Sequence, residues 1–364
     1  MFSNMGTSDS VIRGRGAQSA QVPTHFGLNT READGDWLDE VEAIDGPGPK
    51  LRTTVTEEFP KTAIAWNTSP DIPFDRSLNP YRGCEHGCVY CYARPTHAWH
   101  DLSPGLDFET KLFAKPSAPV SLRKAFAARG YSPAPLALGT NTDPYQPIEA
   151  RYRITRAVLE LCLEVGHPVT ITTKSARVLD DLDLLAELAA RNLTAVSISV
   201  TSLDPRLSGK LEPRASAPAK RLAALEALAK AGVHANVSVS PIIPAITDSF
   251  IEAILAEAGA RGVQSASWIM LRLPHEVAPL FREWLDVHFP DRAAKVMAIV
   301  QSVRGGKDND ARFFSRMKPT GVWADLVRSR FRLGMKRAGI PQAKPVLDCS
   351  QFRPPSRDGQ LALL

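Results

Sequence analysis

The chain has 364 residues, 44% of them hydrophobic, with five cysteines and a formal net charge of +5. This length suits one large α/β domain with additions, or two domains, and the apolar content is that of a globular protein. No stretch approaches the roughly 20 uninterrupted apolar residues of a membrane span, the start lacks the apolar core of a signal peptide, and so few cysteines exclude a disulfide scaffold.

Taken in chain order, residues 1 to about 55 read as a weakly ordered extension. They are rich in Gly, Ser and acids, with seven acids between Glu32 and Asp45, and they end in Gly46-Pro47-Gly48-Pro49. From about residue 75 strand and helix alternate. A short extended segment, Ile72–Leu78, is followed by a helix over 117–129 with Leu122 and Phe126 one turn apart. A strand over Leu136–Thr140 leads to a helix over Ile154–Val165 that Gly166 ends. The β-branched run Val169–Thr173 predicts a strand and the Leu-rich face of Asp180–Arg191 a helix. Then come a strand over Ala195–Thr201, a helix over Pro218–Ala231 with Leu222, Leu225 and Leu228 inward, and a strand over Val233–Ser240. A helix over Ser249–Ala260 and a strand over Ser265–Leu271 complete the pattern. Repeated strand–helix units argue for a parallel sheet with right-handed crossovers. Six units are too few for a closed eight-stranded barrel, so an open doubly wound sheet and a partial barrel both remain. Residues 276–364 are expected to form a helical region covering the barrel. Within it, residues 304–337 hold ten Lys or Arg against three Asp. That imbalance reads either as a solvated helical surface or as a polyanion-binding face, with Arg304, Arg312, Arg316, Arg328, Arg330 and Arg332 as its phosphate contacts.

The densest chemical signal is the run Asn79-Pro80-Tyr81-Arg82-Gly83-Cys84-Glu85-His86-Gly87-Cys88-Val89-Tyr90-Cys91-Tyr92. Three thiolates on one glycine-punctuated loop can hold three irons of a cubane cluster and leave the fourth iron open to a small molecule. The competing reading is zinc, which in a closed structural site takes four ligands. The nearby candidates for the fourth are His86, His97 and His100, and His86 sits inside the loop itself. Cys162 lies in an apolar helical stretch and Cys349 in the C-terminal tail, so neither builds a second motif. Unpaired thiols and an oxygen-sensitive cluster fit a reducing cytoplasm.

This C-x3-C-x2-C spacing resembles the signature of radical S-adenosylmethionine (SAM) enzymes. Further stretches narrow the likeness: Ser69-Pro70-Asp71, Ala93-Arg94-Pro95-Thr96-His97, Gly105 to Lys111, Gly139 to Glu149, Thr173-Lys174-Ser175, Leu211-Glu212-Pro213-Arg214 and Leu271-Arg272-Leu273-Pro274. Together they resemble the spore photoproduct lyase-like, or DNA repair photolyase-like, branch, from about residue 60 to the C-terminus. The resemblance implies a partial (β/α)6 barrel of the TIM type over residues 56–275, with one [4Fe-4S] cluster at its top. SAM would bind the open iron, and one electron from a flavodoxin- or ferredoxin-type donor would cleave it to a 5′-deoxyadenosyl radical that abstracts hydrogen.

Residue by residue, the resemblance makes Cys84, Cys88 and Cys91 the cluster ligands and puts Tyr90 beside the adenine. Lys174 meets the SAM carboxylate, Ser199 faces SAM, and Thr142 and Asp143 belong to the same cofactor-binding set. Glu212 and Arg214 reach the ribose hydroxyls and the carboxylate, or pair with each other. One departure stands out. Thr140 occupies the place of a cysteine that returns a hydrogen atom to the substrate in spore photoproduct lyases. An O–H bond is far harder to break homolytically than S–H, so Thr140 cannot take that role, and Tyr145 is another candidate donor. A nucleic-acid base is the first substrate candidate. The alternative to an enzyme is a non-catalytic, zinc-stabilised module that binds nucleic acid or protein.

Overall fold

The computed structural model describes residues 15–20, 52–341 and 344–356. The acid-rich stretch 32–45, and most of the expected extension, lie outside the described residues. Ten strands follow in chain order among them: β1 (Thr54–Glu57), β2 (Ala65–Trp66), β3 (Arg76–Leu78), β4 (Tyr81–Arg82), β5 (Lys111–Ala114), β6 (Leu136–Leu138), β7 (Val169–Thr173), β8 (Thr194–Ser199), β9 (His234–Ile242) and β10 (Ser265–Met270). The main sheet has the order β10-β9-β8-β7-β6-β3-β2. Strands β3, β6, β7, β8, β9 and β10 run parallel, and only β2 runs antiparallel, at the outer edge of β3. The sheet does not close among the described residues. This is the partial (β/α)6 barrel architecture.

The local chemistry explains the elements. In β7, Val169, Ile171 and Thr173 are buried while Thr172 is exposed, the two-residue alternation of a half-covered strand. The helix Ile154–Val165 turns Val158, Leu159, Cys162 and Val165 into the main core and stops where Gly166 takes φ 66°. Leu222, Leu225 and Leu228 are buried on the inner face of Pro218–Lys230, as their spacing requires. Each fully buried leucine contributes about 1.5–3 kcal/mol. The helix expected over Asp180–Arg191 is divided. A 3-10 turn, Ala176–Asp181, is started by Ser175, whose hydroxyl accepts from Arg177 N, and the α-helix runs over Leu182–Ala190. The division falls at Asp181, whose buried carboxylate accepts from Tyr145 Oη at 3.1 Å and Arg156 Nη1 at 3.0 Å.

The C-terminal region supplies three helices, Val277–His288, Pro290–Ser302 and Val322–Arg337. Val277, Phe281, Trp284 and Leu285 of the first share a hydrophobic cluster with Cys88, Val89 and Tyr90 of the cysteine loop, whereas Val327, Phe331 and Met335 of the last join Ile251, Ile254 and Leu255 in the main core. The tail returns to the start of the strands, where Arg353 N donates to Val165 O at 2.8 Å and Phe352 joins Phe126, Tyr131 and His167. No helix among the described residues is long and apolar enough to cross a membrane.

One buried carboxylate makes stability depend on pH. Glu149 accepts from the Tyr81 hydroxyl and, through Oε1, from Thr155 N at 2.9 Å and Arg156 N at 3.4 Å, at the start of the Ile154–Val165 helix. Burial raises its pKa from 4.5 to about 7, against the pull of these hydrogen bonds. Between those values the folded chain holds a proton that the unfolded chain has released. The resulting stability is complete below the lower value and is lost as pH rises through the upper. Glu149→Gln keeps the acceptor oxygen and removes the titration. In urea unfolding, the wild type should lose about 3 kcal/mol more than the variant between about pH 5 and pH 8. Equal losses would remove Glu149 as the source.

Candidate metal and cofactor site

The loop that carries the cysteines is held from several sides. It starts where β4 pairs antiparallel with β5, Arg82 opposite Phe113. Cys84 N donates to Phe108 O at 2.9 Å and Val89 N to Leu211 O at 3.2 Å. Gln146 is fully buried and clamps the loop twice: its Oε1 accepts from Glu85 N at 3.0 Å and its Nε2 donates to Gly83 O at 3.1 Å. Gly87 has φ +66°, the left-handed region that glycine enters at no steric cost, and a Cβ there would meet Glu109 Oε2 at 2.8 Å.

Cys84, Cys88 and Cys91 are all free thiols. Burial pushes the Cys84 thiol well above its ordinary value, helped by Asp143, and pushes Cys88 up to about 12 against the pull of Lys174. Among the described residues no three His, Cys, Asp or Glu side chains gather as one metal ion would need. A cubane seats each thiolate on its own iron, so its ligands need not meet at one point, whereas zinc ligands all lie about 2.0–2.3 Å from a single centre. Three unpaired thiols on one constrained loop are a donor set that fits the cluster.

Tyr90, Lys174 and Glu212 converge beside Cys88. Lys174 follows β7 directly, and its Nζ lies 5.8 Å from the Tyr90 ring centroid. Burial works against the ammonium, but Cys88 and Glu212 outweigh it and raise its pKa. Glu212 ends the helix Pro205–Leu211 and is itself buried. It accepts from the Tyr90 hydroxyl, from Thr201 Oγ1 at 2.7 Å and from the buried guanidinium of Arg221. Its burial favours the neutral acid, yet Arg221 and Lys174 prevail and lower its pKa. Ser199 closes β8, buried, with its carbonyl accepting from Arg221 Nη1 at 3.0 Å.

The other expected residues are used differently. Arg214 pairs with Glu85 at 2.9 Å, so it and Glu212 each have a separate partner rather than one another. Thr142 Oγ1 donates to Tyr81 O at 3.1 Å. Asp143 accepts from Thr173 Oγ1 and Lys174 N, both at 2.7 Å, with His86 Nδ1 at 3.3 Å. Burial tends to raise the Asp143 carboxyl, but His86 and these hydrogen bonds bring it down to about 2. Asp143 therefore fixes the backbone from which Lys174 projects. Thr140 Oγ1 meets Asn79 Nδ2 at 3.2 Å, and its carbonyl accepts from the Tyr92 hydroxyl. Tyr145 is buried in the wall with its hydroxyl committed to Asp181.

In the basic stretch several arginines are engaged by acids or buried, while Lys307, Lys318, Lys336 and Arg337 are exposed. Arg304 is buried and donates to Leu271 O at 2.8 Å. Arg312 pairs with Asp310 at 2.7 Å, Arg316 with Asp71 at 2.6 Å, Arg330 with Glu252 at 2.7 Å, and Arg328 with Asp325. Arg332 is exposed.

Residues 78–258 match the sequence model of the Radical SAM superfamily. An uncharacterized protein of Mycobacterium tuberculosis is 34% identical over 226 residues, covering 62% of this chain and 66% of the relative. The match thus spans just under two thirds of that relative's own length. An uncharacterized protein of Methanocaldococcus jannaschii is 28% identical over 181 residues, 50% of this chain and 64% of the relative. Among solved structures, spore photoproduct lyase complexed with dinucleoside spore photoproduct superposes with a TM-score of 0.56 at 16% identity, over 78% of this chain and 79% of that one. A Cys-to-Ser variant of the same enzyme gives 0.54 at 15% identity, over 83% and 91%. At these identities the likeness is one of fold.

Proposed function

Because this chain belongs to the radical SAM superfamily, we propose that it binds one [4Fe-4S] cluster through Cys84, Cys88 and Cys91 and uses it to cleave SAM reductively for hydrogen abstraction. The observation that carries the reading is the convergence of Tyr90, Lys174 and Glu212 on Cys88. A non-catalytic zinc module has no use for a half-buried ammonium held beside the Cys88 thiol.

The cluster and SAM supply the one-electron chemistry. The residues of the chain bind and orient. Lys174 offers a half-buried cation to the SAM carboxylate, with which it would make a charge-assisted hydrogen bond. Glu212 holds the Tyr90 ring and offsets the Lys174 charge, while Arg221 offsets Glu212 in turn. The electron comes from a flavodoxin- or ferredoxin-type donor. The fold likeness makes a nucleic-acid base the first substrate candidate. Thr140 leaves photoproduct reversal without its cysteine hydrogen donor.

The test is anaerobic reconstitution with iron and sulfide, followed by dithionite and SAM. Iron and sulfide near about four each per chain, a broad band at about 400 nm and release of 5′-deoxyadenosine support the reading. One zinc per chain, no colour and intact SAM would replace it by the zinc module.

Lys174→Ala separates cofactor binding from cluster assembly. Iron content should stay at the wild-type level. SAM affinity should fall roughly 10- to 100-fold, the equivalent of about 1.5–3 kcal/mol for a hydrogen bond to a charged group. An unchanged dissociation constant on the reconstituted variant would take Lys174 out of the site.

A further inference from the structure

Residues 15–17 lie directly against the cysteine loop. A Cβ on Gly16 would meet Gly87 O at 1.6 Å and Val89 N at 3.0 Å, so the contact is backbone to backbone and admits no side chain. One carboxylate fastens both sides. Glu109 is fully buried; its Oε2 accepts from Gly16 N at 3.0 Å, and its Oε1 accepts from Ala17 N at 2.8 Å and Arg94 Nη2 at 2.6 Å. Arg94, also fully buried, extends the tie into the loop by donating from Nε to Cys88 O at 2.9 Å and from Nη2 to Gly87 O at 3.3 Å. At the strap's other end Arg15 donates to Glu109 O at 2.9 Å and to Thr53 Oγ1 at 3.3 Å, and Thr53 Oγ1 donates to Glu85 Oε1 at 2.6 Å.

A buried ion pair is sustained only when its remaining hydrogen-bonding capacity is also used. Here the strap's N–H groups supply that need on Glu109, and the peptide oxygens around Cys88 supply it on Arg94. Strap and loop are therefore coupled through one pair of side chains. We propose that Glu109 is a positioning residue for the cysteine loop and that Arg15–Ala17 is the strap it fastens over Gly87 and Cys88. The strap keeps the loop in its ligand-bearing shape and shields it from oxidants and chelators. The shielding part rests on the cluster reading above; the positioning part does not.

The test uses the full chain with Gly16→Ala, which adds a Cβ at Gly87 O, Ala17→Pro, which deletes one N–H donor to Glu109, Glu109→Gln, and the Gly16→Ala/Glu109→Gln double variant. In metal-free protein, iodoacetamide labelling of Cys88 and Cys162 is followed by mass spectrometry. Each single variant should label Cys88 roughly tenfold faster, the factor that about 1.4 kcal/mol sets, with Cys162 unchanged. The double variant should label no faster than the faster single one, because both act through one contact. After reconstitution, bleaching of the band at about 400 nm in air should quicken by a similar factor. Unchanged Cys88 labelling would overturn the proposal, as would an equal rise at Cys162, which marks general loosening of the fold. If the wild type takes up no iron, the cluster reading falls, and the contrast between Cys88 and Cys162 still decides the strap.

Discussion

Cys88→Ala should abolish iron retention and SAM cleavage, whereas Cys162→Ala and Cys349→Ala should leave both intact. The structure gives each thiol a different setting. Cys88 sits on a peptide pinned by Arg94 and by the Val89 N to Leu211 O bond, next to Lys174. No neighbouring thiol can replace it without moving the loop. Cys162 points into the main core from the Ile154–Val165 helix, where burial alone raises its pKa to about 12. Its loss removes packing. Cys349 lies in the tail next to Asp348, whose N donates to Asn192 O at 2.9 Å just before β8. Iron and sulfide analysis of the reconstituted variants, with 5′-deoxyadenosine release as the activity readout, is the check. A Cys88→Ala protein that assembled a normal cluster and cleaved SAM at the wild-type rate would remove the motif from the site.

Glu212→Ala should destabilise the metal-free protein by about 3–5 kcal/mol, the cost of leaving a buried charge without its partner. Arg221 would keep its guanidinium in a fully covered position, and the Tyr90 hydroxyl and Thr201 would lose an acceptor. That is a large share of the 5–15 kcal/mol that typically holds a domain together. Replacing both members, Glu212→Met with Arg221→Leu, should recover part of the loss, because the fully buried guanidinium leaves with its partner and only the half-buried Lys174 ammonium loses its carboxylate. Urea unfolding of the three proteins measures this. A Glu212→Ala cost below about 1 kcal/mol would mean that water screens the pair, as it does exposed ion pairs.

What could be read from the sequence follows from length and chemistry. Ile154–Val165 and Val169–Thr173 occupy their predicted bounds because each carries a full apolar period and ends at a breaker or cap. Pieces such as β4, β5 and the helices Leu106–Thr110 and Pro205–Leu211 are too short to show a period, yet they seat the loop. The cysteines marked the candidate site by spacing alone. Arg94, Glu109 and Gln146, which shape it, lay in stretches noticed only for their resemblance, since such residue types are ordinarily surface residues. The partner of Glu212 turned out to be Arg221, at the start of the next helix, a pairing that spacing does not reveal. In the basic run of 304–337 folding set Arg312, Arg316, Arg328 and Arg330 against acids distant or adjacent in the chain, pairings that a charge count does not reveal.

The buried thiols of Cys84 and Cys88 have a consequence for proton inventory. Held well above neutrality, both would enter the proposed metal loading carrying their protons and would have to shed them to become ligands. Loading the loop is thus an acid-releasing reaction, favoured by alkaline buffer and opposed by acid. In weakly buffered solution it should be visible as a fall in pH that tracks iron uptake and is smaller in the Cys88→Ala chain.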